Sequence, residues 1–435
     1  MRVLVYGIGV TGEAVARALV AHGHSTLLAD DEPGAPDVHV RPRDSELDEL
    51  LDSADALVPS PGVPEHQPAI VGAVARGLPI VSELDLATDW EAERMARGGA
   101  PRQVLAITGT DGKTTVTTMV TAMLEASGGK ALAVGNTEVP FVAALDEDVE
   151  TFVVEASSFR LRFAERFSPR VATWLNLAPD HLDWHPSLEA YAAAKARIYE
   201  HQAADAVAVG NAGDQIVLAH LRRAPGRRVT FGADRGEYHV RDGEIMTPGD
   251  GPILPVSELT RQLPHDVANA LAATATALEG GATRDGVREV LRTFRGLPHR
   301  VAFVAEADGI RWFDDSKATA PHATTAAISG FERVVLIAGG RNKGLDLTAL
   351  ADQAARVRAV VAIGESAADV AAAFSGRAPV TEAGSMGEAV SAARRLAHPG
   401  DAVLLSPGCA SFDWYRNYAE RGDDFVRAVH ELVGS

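Results

Sequence analysis

The chain has 435 residues, of which 46% are hydrophobic and 23% charged, with a formal net charge of -18 and a single cysteine, Cys409. That is an ordinary globular composition for roughly two to four domains. The acidic balance excludes non-specific nucleic-acid binding, and one thiol excludes both an intrachain disulfide and a cysteine-rich metal site.

The N-terminus enters a strand without a signal-peptide pattern, and no apolar run reaches bilayer length, so a cytoplasmic protein is expected. No surface pattern demands a partner chain, which predicts a monomer. Over the first 85 or so residues, short apolar runs (VLVYG, STLLAD, ALVPSPG, LPIVSEL) alternate with alanine-rich helical stretches. That rhythm predicts βαβ units and a parallel sheet. Its first turn, GIGVTG, spaces Gly7, Gly9 and Gly12 as G-x-G-x-x-G, with Asp30 closing the next apolar run. Such a loop lets the backbone approach a pyrophosphate at a helix N-terminus. It suits an NAD-type dinucleotide, another diphosphate, or a structural turn.

WEAERMARGGAPR, residues 90–102, is polar and glycine-rich and reads as a linker. QVLAITG then leads into AITGTDGKTT, a second glycine loop between a strand and a helix. Backbone N–H groups there would wrap phosphate oxygens, with Lys113 reaching the outer phosphates and Thr114 ligating Mg²⁺. The full G-x-x-x-x-G-K-[ST] spacing is not met, because position 107 is Ile. A dehydrogenase needs no second phosphate loop. An ATP-driven enzyme with a diphosphate-bearing substrate needs both.

Further strands are expected at ALAV (131–134), TFVVEAS (151–157), VATWLNL (171–177) and AVAVGN (206–211). Glu155 falls at the carboxyl edge of one of them, where parallel sheets bind ligands and where Mg²⁺ finds a carboxylate; an N-cap is the alternative. NLAPDHLDWH packs Asp180, His181, Asp183 and His185 after the next strand, as metal ligands or turn formers. Lys195 reads as a solvated helix lysine. Residues 228–258 predict short antiparallel strands, and Val267, Leu271, Thr274 and Leu278 recur at helical spacing. After GLPHR (296–300), the runs WFDDS, RVVLIAGG, AVVAIG and DAVLLSPG predict a third α/β unit.

Taken together the motifs resemble the Mur ligase superfamily. GTDGKTT is similar to its ATP loop, and EASSF and DHLD to its magnesium motifs. DDSKAT (314–319), GGRNKG (339–344) and LLSPGCASFD (404–413) are similar to its D-glutamate-adding members. The resemblance implies three α/β domains in series: a Rossmann-like UDP-sugar domain (1–92), a P-loop ATPase-like domain with a parallel sheet (93–297), and a Rossmann-like amino-acid domain (298–435). It implies ATP-dependent addition of D-glutamate to UDP-N-acetylmuramoyl-L-alanine through an acyl phosphate, in peptidoglycan synthesis. Gly109, Thr110, Asp111, Gly112, Lys113, Thr114 and Thr115 would hold ATP, with Asn269, Arg300 and Asp315 contacting the nucleotide. Thr114 and Glu155 match one magnesium site, and His181 and a carbamylated Lys195 the second; Lys113, His181 and Lys195 are the expected catalytic residues. Val10, Thr11, Asp30, Ser60, Pro61 and Gly62 match the uracil and diphosphate site, with Asn136 nearer the muramoyl group. Lys317, Thr319, Lys343, Ser411 and Tyr418 match the D-glutamate pocket.

The chain departs from the pattern at Asp266 (usually Asn), Ala178 (commonly Thr), Tyr418 (usually Phe) and VGNTEVP, which replaces a GNIG-like run. The alternatives are another ligase of the superfamily, such as a different Mur ligase, a folylpolyglutamate synthase or one with another acceptor such as L-glutamate; a nicotinamide-dependent oxidoreductase; and a non-catalytic nucleotide-binding regulator.

Overall fold

A computed structural model describes residues 1–32, 37–182, 184–249 and 251–434. The chain forms two compact units: Met1–Thr260 with Ala268–Phe294, and Arg261–Val267 with Arg295–Ser435.

The first unit opens with β1 (Arg2–Tyr6), β2 (Ser25–Asp30), β3 (Val38–Val40) and β4 (Ala56–Pro59), an all-parallel sheet in the order β3-β2-β1-β4. β1 is central, and Val3 to Tyr6 are buried, as the continuous apolar run of a strand covered on both faces requires. The expected LPI strand contributes only a bridge from Leu57 to Ile80.

The residues after it, and the first half of the expected linker, belong instead to a helix, Glu83–Ala96. Ser82 caps it by accepting from Leu84 N at 3.2 Å, and Glu83 and Asp85 favour its positive end. Leu86, Ala87 and Trp90 are buried at helical spacing, so apolar packing overrides the polar composition. The break comes at Gly98 and Gly99.

The central sheet consists of β5 (Gln103–Thr108), β6 (Ala131–Gly135), β7 (Thr151–Glu155), β8 (Val171–Trp174), β9 (Val207–Asn211) and β10 (Arg227–Phe231). All pairs are parallel, in the order β10-β9-β8-β5-β7-β6. β5 therefore lies between β7 and β8, and the register sets Ile107 against Glu155 and Thr108 against Trp174. That pairing gathers the loops after β5, β7 and β8 at one sheet edge. The expected antiparallel strands are β11 (His239–Arg241), β12 (Glu244–Thr247) and β13 (Gly251–Pro255). The apolar period around Val267 lies in a helix, Pro264–Glu279.

The second unit carries β14 (Ala302–Ala307), β15 (Ile310–Asp314), β16 (Val334–Gly339), β17 (Val357–Ile363), β18 (Val380–Ala383) and β19 (Ala402–Leu405). The order is β14-β15-β19-β16-β17-β18, parallel except for the antiparallel edge strand β14. The loops DDSKAT, LLSPGCASFD and GGRNKG thus leave three adjacent strands, β15, β19 and β16, at their carboxyl ends. In open α/β sheets that edge is where ligands bind.

Candidate active site

The second glycine loop joins β5 to the helix Lys113–Ala126, as the sequence predicts. No side chain caps that helix, so its N-terminal N–H groups point at the loop. Gly112 sits at φ +82°, where a side chain is strained, and an added Cβ would fall 2.5 Å from Asn269 Oδ1. Gly112→Ala is therefore expected to cost about 1–2 kcal/mol in backbone strain and to push Asn269 aside. The readout is a lower melting temperature together with a raised KM for ATP.

Asn176, at the end of β8, shapes the loop from outside. Its Oδ1 accepts from the backbone N–H groups of Thr110 and Asp111, both at 2.9 Å, and its Nδ2 donates to Asp111 O at 3.2 Å. Thr110 Oγ1 accepts from Ala178 N at 3.0 Å. The sequence reading missed Asn176, although it opens NLAPDH; an amide with both donor and acceptor at a strand end beside a phosphate loop was the available signal.

Two lysines converge on one carbonyl. Lys113 Nζ donates to Gly109 O at 3.0 Å and Thr110 O at 2.8 Å, and Lys195 Nζ donates to Gly109 O at 2.6 Å. Lys195 is not the solvated lysine its helix suggests: it is 1% exposed and lies 4.4 Å from the Tyr191 ring centre. Burial, assisted by the nearby Lys113 charge, pushes its pKa well below the ordinary lysine value. Tyr191 donates in turn to Thr110 Oγ1 at 3.3 Å.

Glu155 is 1% exposed. Asn136 Nδ2 donates to its Oε1 at 2.9 Å, while its Oε2 is buried without a hydrogen-bond partner. A buried carboxylate oxygen left unsatisfied is costly, and a bound cation is one way to satisfy it. His181 adopts φ +53° in the loop after β8, with Nε2 3.4 Å from Asp180 Oδ2 and its ring edge-on to Phe159. Asp183 lies outside the described residues. His185 is buried and shares a hydrogen bond with Ser158 Oγ, as a packing residue would. Among the described residues no group of three or more His, Cys, Asp or Glu forms a cation cage. Magnesium does not require one, since it takes one or two carboxylates with waters and phosphate. The oxygens of Glu155 and Thr114 fit that donor set.

At the first sheet, Gly12 is obligatory: a Cβ there would meet Gly7 O at 1.9 Å. Ser60 N donates to Tyr6 O at 2.8 Å and Ser60 Oγ to Gly7 O, so the Ser60-Pro61-Gly62 turn clasps the glycine loop. Asp30 fixes the same loop, accepting from Ile8 N and, at 3.0 Å, from Glu32 N. Val10 is 70% exposed at the loop's outer face. Thr11 Oγ1 accepts from Arg160 Nη2 at 2.9 Å.

In the second unit Asp315 is buried, accepting from Ser406 Oγ at 2.7 Å and Val301 N at 3.2 Å. Burial pushes its pKa up to about 8. The folded state thus keeps a proton that the unfolded chain releases near pH 4. Stability from this group is complete below about pH 4 and is lost as the pH rises to about 8, on the order of 1 kcal/mol per pH unit. Denaturant titrations of wild type and Asp315→Asn at pH 5 and 7 should show that slope in the wild type only.

Lys317 Nζ stands 3.9 Å from the Tyr418 ring centre and Lys343 Nζ 5.6 Å from that of Phe412. Ser411 is buried, and Thr319 follows Lys317 in the same loop. Arg300 O accepts from Arg261 Nη1 at 2.9 Å. Arg261 Nε also pairs with Asp266 Oδ1 at 3.1 Å, so the departure at Asp266 is accommodated by an ion pair. Arg421, 1% exposed, ties the loops together: it donates to Ser316 Oγ at 2.9 Å, Ser316 O at 2.8 Å and Cys409 O at 3.1 Å. Sequence reading missed it, because an arginine in a helix ordinarily faces water.

A cavity of about 530 Å³ opens away from this chemistry, at the amino-terminal edge of the central sheet, lined by residues including Met95, Val104, Phe141 and Phe167. Its rim charges are paired internally, Arg102 with Glu91 and Arg170 with Asp205.

A glycine loop at the carboxyl edge of a parallel sheet, with a strand-end carboxylate and a buried lysine beside it, suits a nucleotide-binding enzyme, and family comparison makes its class a ligase. The chain belongs to the Mur ligase family: residues 1–82 match the Mur ligase MurD-like N-terminal domain, 107–277 the Mur ligase middle domain, and 299–409 the Mur ligase glutamate ligase domain. Its curated relatives include the UDP-N-acetylmuramoylalanine–D-glutamate ligases of Frankia casuarinae and Desulfosudis oleivorans. The first is 44% identical over 99% of this chain and 94% of the relative. The second is 41% identical over 99% and 96%. Among solved structures, UDP-N-acetylmuramate-alanine ligase MurC from Thermotoga maritima shares the fold, with a TM-score of 0.60 and 20% identity over 99% of this chain and 100% of that one. MurF ligase from Thermotoga maritima, in complex with ADP, has a TM-score of 0.62 and 15% identity over 99% and 95%.

Proposed function

We propose that this chain is the ATP-dependent ligase that adds D-glutamate to UDP-N-acetylmuramoyl-L-alanine. The observation that carries the reading is full-length similarity, at 37–44% identity, to relatives bearing that activity in their name. The site supports it. A carboxylate is a poor electrophile, so one of its oxygens attacks the γ-phosphorus of ATP, and ADP leaves. The amino nitrogen of D-glutamate then attacks the acyl carbon, and phosphate departs with the C–O bond's electrons.

The proposed domains are 1–92, 93–297 and 298–435, the first limit falling inside the helix Glu83–Ala96. In the first domain the glycine loop, Val10, Thr11, Asp30 and the Ser60–Gly62 turn hold the uridine diphosphate, with Asn136 toward the muramoyl group. Gly109–Thr115 hold the ATP phosphates with Asn269, Arg300 and Asp315 on the nucleotide. Lys113, released from its loop carbonyls, neutralises charge where two anions approach. Thr114 with Glu155, and His181 with a carbamylated Lys195, would hold magnesium, which supplies further charge neutralisation at the phosphates. Lys317, Thr319, Lys343, Ser411 and Tyr418 receive D-glutamate, whose two carboxylates suit the lysines. Among the described residues no helix is long and apolar enough to cross a membrane. A cytoplasmic monomer is part of the proposal.

The deciding experiment measures phosphate release with ATP, Mg²⁺ and UDP-N-acetylmuramoyl-L-alanine across a panel of amino acids. Turnover dependent on D-glutamate is expected. Preference for L-glutamate or another acceptor reassigns the enzyme within the family, and no amino-acid-dependent turnover sinks the reading.

A further inference from the structure

Arg160 is 6% exposed, in the short helix Ser158–Arg162 that follows the strand ending at Glu155, with its backbone fixed on both sides. Its N–H donates to the helix-capping Ser157 Oγ at 3.4 Å, and its carbonyl accepts from Ser82 Oγ at 2.7 Å. Its guanidinium donates from Nη1 to Glu83 Oε2 at 2.5 Å, and Glu83 Oε1 in turn accepts from Val142 N at 2.9 Å. The remaining arm, Nη2, reaches 149 residues back in sequence to Thr11 Oγ1 on the glycine loop's helix.

A threonine hydroxyl has one proton to donate and lone pairs that accept. With Arg160 occupying a lone pair, the Thr11 proton is turned away from the guanidinium. Among the described residues Thr11 makes no other side-chain hydrogen bond. It stands in the first turn of the helix Val10–Ala21, which no side chain caps. The Thr11 hydroxyl thus keeps a donor in the first turn of a helix whose N-terminus favours an anion.

We propose that Arg160 is a positioning residue: it holds the Thr11 hydroxyl as a donor to the substrate's diphosphate and ties that contact to the strand end bearing Glu155. This rests on the functional reading above, and it adds a residue outside both glycine loops to the sugar-nucleotide site. Because Glu83 is buried with Arg160, cutting the pair on one side leaves an uncompensated charge. Arg160 therefore serves as a rigid strut between substrate loop and metal strand.

The test is a kinetic cycle on the full-length enzyme with Thr11→Val, Arg160→Met, the paired Glu83→Gln/Arg160→Met, and Arg160→Lys. Thr11→Val and Arg160→Met should each raise KM for UDP-N-acetylmuramoyl-L-alanine about tenfold, with KM for ATP and D-glutamate within about twofold of wild type. Together they should raise it no further than either alone, and Arg160→Lys should recover part of the loss. The Glu83→Gln/Arg160→Met pair replaces Arg160→Met if the single variant does not fold. If that pair also fails, Thr11→Val with Arg160→Lys carries the cycle. An unchanged KM in a folded variant, or multiplicative effects of Thr11→Val and Arg160→Met, overturns the proposal alone. A wild-type enzyme with no turnover dependent on the UDP-sugar overturns the functional reading, and the proposal with it.

Discussion

Lys195→Ala is expected to lose roughly a thousandfold or more in phosphate release, and added acetate or formate to restore part of it. The amine is buried against Tyr191 and Gly109 O, and burial with the neighbouring Lys113 holds its pKa well below that of a free lysine. A neutral amine is the form whose lone pair bonds to the carbon of CO₂, releasing a proton and leaving an anionic carbamate. With Lys195 carbamylated as proposed, alanine removes that anion and opens a pocket in which a small carboxylate can stand. Loss of packing alone would lower the melting temperature without any response to acetate, so rescue separates the two roles. Full activity of the variant would return Lys195 to a structural part.

Glu155→Gln should give the opposite pairing of effects: turnover falls by about 100-fold or more while the ligand-free protein becomes more stable. Glutamine keeps the acceptor for Asn136 Nδ2 at Oε1 but carries no charge. Oε2 is buried without a partner, and an unpaired buried charge costs more than the unpaired neutral amide that replaces it. Melting curves without nucleotide, set beside the Mg²⁺ dependence of phosphate release, check both halves. A variant that melts lower and keeps its Mg²⁺ response would make Glu155 a structural acid. The trade of stability for an unsatisfied ligand is expected at a functional site.

The sheets were legible because parallel strands buried on both faces must be apolar throughout, as in VLVYG, TFVVE and VVLIAG. The glycine loops were legible because close backbone approach leaves no room for a Cβ, as at Gly12. What the sequence concealed has a different physical origin. The helix Glu83–Ala96 looks like a linker because its outer face is charged, and only its cap and four buried apolar residues reveal it. Arg160 and Arg421 act by holding backbone or hydroxyl groups distant in sequence, and no local pattern marks such a contact. Lys195 is the sharpest case: a lysine in an alanine-rich helix reads as solvated until the fold places it beneath the second glycine loop. The short edge strands β3 and β18 carry too few apolar residues to announce themselves.

The Arg421 clasp has a consequence for how acceptor specificity can change. It grips Ser316 and Cys409 largely through main-chain oxygens, and the Arg341 and Ala410 backbones close a two-way bridge between the neighbouring loops. Main-chain grips are indifferent to most side-chain replacements. The lysines and aromatics that line these loops can therefore be exchanged while the frame that presents them stays in register. With these loops receiving the acceptor as proposed, a change of amino-acid preference needs side-chain replacements on them and leaves the sheet beneath intact.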